Sequence, residues 1–150
     1  MSRCGIGPKF SVIAVLYGIP AGLLTYWYRD QLSIRCIPYW VLTCFAIGLL
    51  VVGTGIYANA LRTFNTGYRK EELITRGAFS IVRHPIYAAW ILLIIPGFVL
   101  LFRSWLLLTV PLVAYAAFKA FIHEEDDYLQ LKFGQSYLEY RSRTGELYPF

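Results

Sequence analysis

The chain has 150 residues, of which 57% are hydrophobic and 15% charged, with a net charge of +5. That balance excludes an ordinary soluble globular domain, in which about half the residues are apolar and about a quarter charged, and the length fits one domain spanning 1–150. The apolar excess must be solvated by lipid, while the basic residues, which form no tract, fit anionic headgroups and give no reason to expect nucleic acid.

Four apolar stretches follow in chain order: residues 10–28, 37–61, 86–102 and 104–122. A helix crosses the hydrocarbon core with about 20 apolar residues, about 17 to 25 being tolerated, so the pattern predicts an all-α, multi-pass fold with four transmembrane helices. The first stretch is preceded by Arg3 and Lys9 and ends in TYWYRD. Those aromatics read as an interfacial belt, so the segment is expected to be a mature helix and not a cleaved signal. The second carries Gly48, Gly53 and Gly55. Gly48 and Gly55 lie two turns apart on a face expected to pack inward, which suits a dimer contact equally well and leaves the oligomeric state open.

The third and fourth stretches are joined by little more than Arg103 and Ser104, which predicts a tight antiparallel hairpin. Pro96 and Pro111 lie inside them and predict kinks. Beyond the fourth stretch the chain reads HEEDDYLQLKFGQSYLEYRSRTG. Leu129, Phe133 and Tyr137 recur every fourth residue, and Asp126, Asp127, Gln130 and Lys132 take the other faces. An amphipathic helix is therefore expected to leave the membrane along the cytoplasmic interface, with Gly134 as its stop and SYLEYRSR as a second short helix.

With both termini on one side, that side collects Arg3, Lys9, Arg62, Arg69, Lys70, Arg76, Arg83, Lys119, Lys132, Arg141 and Arg143, eleven of the 14 basic residues. The positive-inside bias places that side in the cytoplasm and the protein in the cell membrane. Cys4, Cys36 and Cys44 have no metal-ligand spacing, and His84 and His123 lack a third ligand, so no metal site is expected.

Because the third and fourth helices form a hairpin, RHPIY at the entry of one and HEEDD at the exit of the other must be neighbours. This gathers Arg83, His84, Tyr87, Glu124 and Glu125 into one patch at the rim. Pro85 suits a first helical position, and the free amides of that helix start suit a carboxylate or phosphate. Glu124 and Glu125, at the end of a helix whose dipole disfavours them, read as acceptors for ligand hydroxyls or an amine. The bland alternatives are that Arg83 and Lys119 are snorkelling anchors, that 124–127 is a solvated acidic face, and that His84 caps a helix.

Together, LITRGAFSIVRHPIYAAW and HEEDDYLQLKFGQSYLEYRSR resemble the paired signatures of the integral-membrane methyltransferases that include isoprenylcysteine carboxyl methyltransferase and the phospholipid N-methyltransferases. The matching residues are Gly77, Arg83, His84, Pro85 and Tyr87, then Glu124, Glu125, Leu129, Phe133, Gly134, Tyr137, Tyr140 and Arg141, over roughly residues 62–143. The resemblance implies a membrane enzyme that binds S-adenosylmethionine at the cytoplasmic rim and methylates a lipophilic or lipid acceptor arriving from the bilayer. Cofactor contacts are then implied at Glu71, Glu72, Leu73, Ile74, Phe79, His84, Pro85, Tyr87 and Glu125. Arg83 and Glu124 are the candidate catalytic side chains. Phe79 stands where tyrosine is common in the carboxyl methyltransferases, and Phe121 where they place a substrate arginine, so Lys119 is the nearest cation for the substrate. The acceptor stays open between isoprenoid thioether carboxylates, phospholipid amines, and small thiols or quinone-like lipids. A non-enzymatic membrane subunit and a membrane reductase are the alternatives.

Overall fold

The structure, a computed structural model, describes residues 6–69 and 72–149. Its long helices are α1 (Gly7–Trp27), α2 (Tyr39–Arg69), α3 (Pro85–Leu101), α4 (Val110–Phe133) and α5 (Gln135–Arg143). Among the described residues there is no strand, only the isolated bridges Ser33 to Ser104 and Val82 to Gly145.

Among the described residues three helices are long and apolar enough to cross a membrane: Gly7–Trp27, Tyr39–Gly67 and Leu107–Phe133. Their outward faces carry exposed Val12, Leu16, Phe45, Val51 and Leu112, as a lipid-facing surface requires. The third expected span is shorter. At about 1.5 Å per residue α3 covers roughly 26 Å, less than the about 30 Å hydrocarbon core. Its middle, Trp90–Ile94, is wound as a π-helical turn, followed at once by Pro96 in the first turn of the α-helical segment Ile95–Leu101. A proline removes one backbone bond and presses on the preceding turn, so the distortion expected at Pro96 takes the form of this wider turn. Pro111 behaves differently from expectation. A 3₁₀ turn at Leu107–Thr109 precedes α4, and Pro111 falls in the first turn of that helix, where its missing donor costs nothing.

In space α2 packs on α3, and α4 packs on α3 and α1. The α2 and α3 contact is made by small residues, but not those expected. Ala46, Gly53, Ala60 and Gly67 recur every seven residues and are buried, Gly67 against Ile74 of the connection that precedes α3. A Cβ on Gly53 would lie 2.8 Å from Leu93 Cβ, and one on Gly97 of α3 would lie 2.8 Å from Leu50 Cγ and 3.1 Å from the Ala46 carbonyl. Gly48 and Gly55 are exposed, and a Cβ at either would meet nothing within 4 Å. The face through Gly53 wins because only it, together with Gly97, lets the two backbones approach on both sides of the contact.

Two ends result. At one, the α1 to α2 connection meets the α3 to α4 turn: Ile34 N donates to the Arg103 carbonyl (2.7 Å), Trp105 N to that of Leu32 (3.0 Å), and Thr25 Oγ1 pairs with Ser104 Oγ (2.9 Å). The opposite end gathers Ile6, the start of α3, the last turns of α4, α5 and the C-terminal segment. Gly53→Val is expected to destabilise the protein by about 1 to 3 kcal/mol through overpacking, whereas Gly55→Ala leaves it unchanged or slightly stabilised; thermal melts in detergent followed by circular dichroism decide between the two.

Candidate functional site

The segment entering α3 is fixed by its backbone. Gly77 has φ of 64°, a left-handed conformation that L side chains rarely adopt, and a Cβ there would also sit 3.2 Å from Thr63 Oγ1. From Gly77 a 3₁₀ turn runs to Ser80 and buries Phe79, whose carbonyl accepts the Tyr140 hydroxyl at 2.6 Å. Val82 then pairs with Gly145, and the amides of Arg83 and His84 donate to the carbonyls of Gly145 (2.8 Å) and Glu146 (3.2 Å). The two amides just before α3 are thus taken by the C-terminal segment, which also buries Leu147 in the core. His84 precedes the helix, Pro85 is its first residue, and the His84 carbonyl accepts from Ala88 N at 2.9 Å.

α4 supplies the carboxylates. Ala114, Phe118, Ile122 and Asp126 follow at four-residue intervals and are all buried, so Asp126 extends the apolar stripe of the helix and does not belong to its solvated face as expected. Its side chain is 3% exposed. Oδ2 accepts from Arg83 Nη1 at 2.9 Å; Oδ1 accepts from His84 Nε2 at 3.1 Å and from the Tyr137 hydroxyl at 2.5 Å. A buried ion costs several kcal/mol in lost hydration unless its lone pairs are met, and three donors from two other elements meet these.

Glu125, one residue earlier, is 20% exposed. Its Oε2 accepts from the Tyr87 hydroxyl (3.0 Å) and Ile6 N (3.2 Å), and its Oε1 lies 3.7 Å from His84 Nδ1. His84 therefore stands between two carboxylates. Burial alone would lower its pKa, but the hydrogen bonds and charges of Asp126 and Glu125 raise it above the ordinary histidine value. Burial and the neighbouring Asp126 push the Tyr137 hydroxyl up, and burial pushes Tyr140 up to about 12, so both stay donors at neutral pH.

The structure thus brings Arg83, His84, Tyr87 and Glu125 together, around an Asp126 that sequence reasoning passed over. The signal for it was present: Asp126 sits four residues after Ile122 and eight after Phe118, in register with the core stripe. Glu124 does not join them. It faces away and pairs with Lys9 at 2.6 Å, both side chains being half exposed. Nor are these acids at a helix end, because α4 continues to Phe133. Lys119 pairs with Glu146 at 2.6 Å on the surface. Glu72, Leu73 and Ile74 line a cavity of about 230 Å³ together with Gly67, Thr75 and Arg76. Glu71 lies outside the described residues. Ligand pockets begin at about 300 Å³, so this cavity accommodates part of a ligand of S-adenosylmethionine's size.

The isoprenylcysteine carboxyl methyltransferase (ICMT) family model matches residues 40–131. The protein-S-isoprenylcysteine O-methyltransferase B of Arabidopsis thaliana is 26% identical over 121 residues, covering 75% of this chain and 61% of its own length. The protein-S-isoprenylcysteine O-methyltransferase of Tribolium castaneum is 26% identical over 148 residues, covering 95% of this chain and 52% of its own. Among solved structures, that of the eukaryotic intramembrane Ras methyltransferase ICMT superposes with a TM-score of 0.71 at 23% identity, over 95% of this chain and 53% of that one. The chain spans little more than half the length of the relatives it matches.

Asp126→Ala leaves Arg83 as a buried charge without its partner and is expected to cost about 3 to 5 kcal/mol, whereas Glu124→Ala removes an exposed pair and costs under about 1 kcal/mol; parallel denaturation series measure both. The raised pKa of His84 carries a further sign. Its pairing stabilises the fold fully below the ordinary histidine value of about 6.5, and that contribution is lost as the pH rises through the raised folded-state value. The stability gap between the wild type and His84→Gln is therefore widest in mild acid and closes toward alkaline pH.

Proposed function

Because the chain belongs to the isoprenylcysteine carboxyl methyltransferase family, we propose that it is an integral-membrane, S-adenosylmethionine-dependent methyltransferase whose acceptor is the carboxylate of an isoprenylcysteine-like lipid. The observation that carries this reading is the junction of the two signature segments at one end of the bundle, where His84 and Tyr87 from one meet Glu125 from the other. α3, at about the lower limit of 17 residues for a span, serves as a fourth crossing. The basic residues then set both termini in the cytoplasm.

The described residues fit the cofactor. S-adenosylmethionine carries an ammonium, a carboxylate and a nucleoside. Glu125, partly exposed, offers a carboxylate to the ammonium. The buried Nε of Arg83 has no hydrogen-bond partner among the described residues and suits a carboxylate. The cavity wall of Glu72, Leu73 and Ile74 offers an edge to the nucleoside, beside the turn that carries Phe79. When bound, S-adenosylmethionine would supply a methyl group on a sulfonium, activated for in-line transfer to the acceptor oxygen with a neutral thioether as the leaving group.

The chain's part is to hold two reactants in line and exclude water, which supplies much of the acceleration for such a transfer. A carboxylate acceptor is ionised at neutral pH and needs no base, consistent with a site whose His84 is already committed to two carboxylates. Pro85 and Tyr87 hold Glu125 and the start of α3 in place. Glu124 and Lys119 take part only by exchanging their ion pairs with Lys9 and Glu146 for substrate. The apolar bundle faces let the acceptor arrive from the bilayer.

Purified protein incubated with labelled S-adenosylmethionine and either a farnesylated cysteine or a total lipid extract is expected to form a base-labile methyl ester. Label in phospholipid amines would replace the acceptor, and no label in any species would refute the activity. Glu125→Ala is expected to weaken S-adenosylmethionine binding about tenfold or more, the scale of one hydrogen bond to a charged group.

A further inference from the structure

Asp126 touches no wall of the cavity described above, yet more side chains of the site depend on it than on any of the residues read from the two motifs. A carboxylate only accepts hydrogen bonds, so the His84 nitrogen 3.1 Å from Asp126 Oδ1 carries a hydrogen. That leaves Nδ1 facing Glu125 Oε1 at 3.7 Å. In a neutral imidazole with hydrogen on Nε2, Nδ1 is a bare lone pair directed at a carboxylate, two acceptors face to face. Only the imidazolium presents hydrogen to both.

The charged and titratable groups facing His84 are Arg83 from its own segment, Tyr87 from α3, Glu125 and Asp126 from α4, and Tyr137 of α5 through the shared Oδ1. The Phe118 ring, 5.9 Å away, closes the apolar side. Arg83 and an imidazolium balance Glu125 and Asp126, two charges against two. Glu125 Oε2 is held by Tyr87 and Ile6, while Oε1 has His84 alone beside it among the described residues.

We propose that Asp126 is a positioning residue: it fixes His84 as a donor to both carboxylates and, through His84, sets the orientation of Glu125 toward the cofactor ammonium. This rests on the assignment of Glu125 made above. Tyr137 joins the chain of contacts by sharing Oδ1, so the placement of α5 is read out at Glu125 as well.

The test uses the full chain in detergent. Nitrogen-15 spectra of the wild type, labelled at histidine, are expected to show His84 protonated at both nitrogens at about pH 7.5, where a free imidazole is neutral. A neutral ring, or one without hydrogen on Nε2, overturns the proposal whether or not any ligand binds. In Asp126→Asn, S-adenosylmethionine affinity is expected to fall about tenfold or more, with its pH profile moved to lower pH and Asp126→Glu recovering part of the loss. Unchanged affinity in a folded Asp126→Asn, or weakened affinity with an unmoved profile, overturns it. Should that variant not fold, Tyr137→Phe removes one donor from Oδ1 and leaves every charge; His84 is then expected to titrate higher, and an unchanged or lower titration counts against the proposal. A wild type that binds no S-adenosylmethionine while its His84 is doubly protonated defeats the proposed function and leaves the Asp126 to His84 link standing.

Discussion

A carboxylate buried to 3% exposure has lost its water and must be met by donors or not be ionised at all. Asp126 is met by Arg83, His84 and Tyr137, and these come from the entry of α3 and from α5. One side chain therefore fixes the rotation of α4, the depth at which α3 begins, and the return of α5 beneath both. Gly134 makes that return possible. Its φ of 55° with ψ of −129° is open essentially to glycine alone, and it turns the chain so that Tyr137 reaches back to Asp126 and Tyr140 reaches the Phe79 carbonyl.

The rest of the bundle delivers the site to one end. Lipid supplies no hydrogen bonds and little drive for helices to associate, so association falls to close packing and to the few polar pairs between helices. Gly53 and Gly97 bring α2 and α3 into backbone proximity, and the Tyr17 hydroxyl of α1 pairs with Thr109 Oγ1 of the 3₁₀ turn before α4 at 2.7 Å. The far end is closed by backbone bonds between its two connections. At the near end the C-terminal segment is bonded to the amides before α3 and sinks Leu147 into the same cluster as Phe10, Tyr87 and Phe118. The charged network is thus walled by apolar side chains, and its electrostatic interactions act at a lower dielectric than they would in water.

Much of this could be read from residue patterns. Helical stretches, the hairpin, the break at Gly134 and the meeting of RHPIY with the acidic run are consequences of local periodicity and connection length. The interior prolines were half legible: a proline marks where a helix must yield, but whether it yields as a π turn, as at Pro96, or as a helix start, as at Pro111, depends on what packs beside it. Gly48, Gly53 and Gly55 of α2 could not be ranked by spacing, because two faces carry small residues and only Gly97 of α3 selects one. Glu124 and Glu125 are adjacent and chemically alike; one faces Lys9 at the surface and the other Tyr87 and His84 inside.

By itself, then, the sequence determined that the chain is a helical membrane protein with its two polar motifs at one rim, since apolar length and period are local properties that lipid reads directly. Only the tertiary structure decided which acid carries that rim. Asp126 and His84 are 42 residues apart and Glu125 and Ile6 are 119 apart. Such pairings are set by how helices rotate against one another, and the same four acids in the same order would pair differently if α4 turned by a single residue.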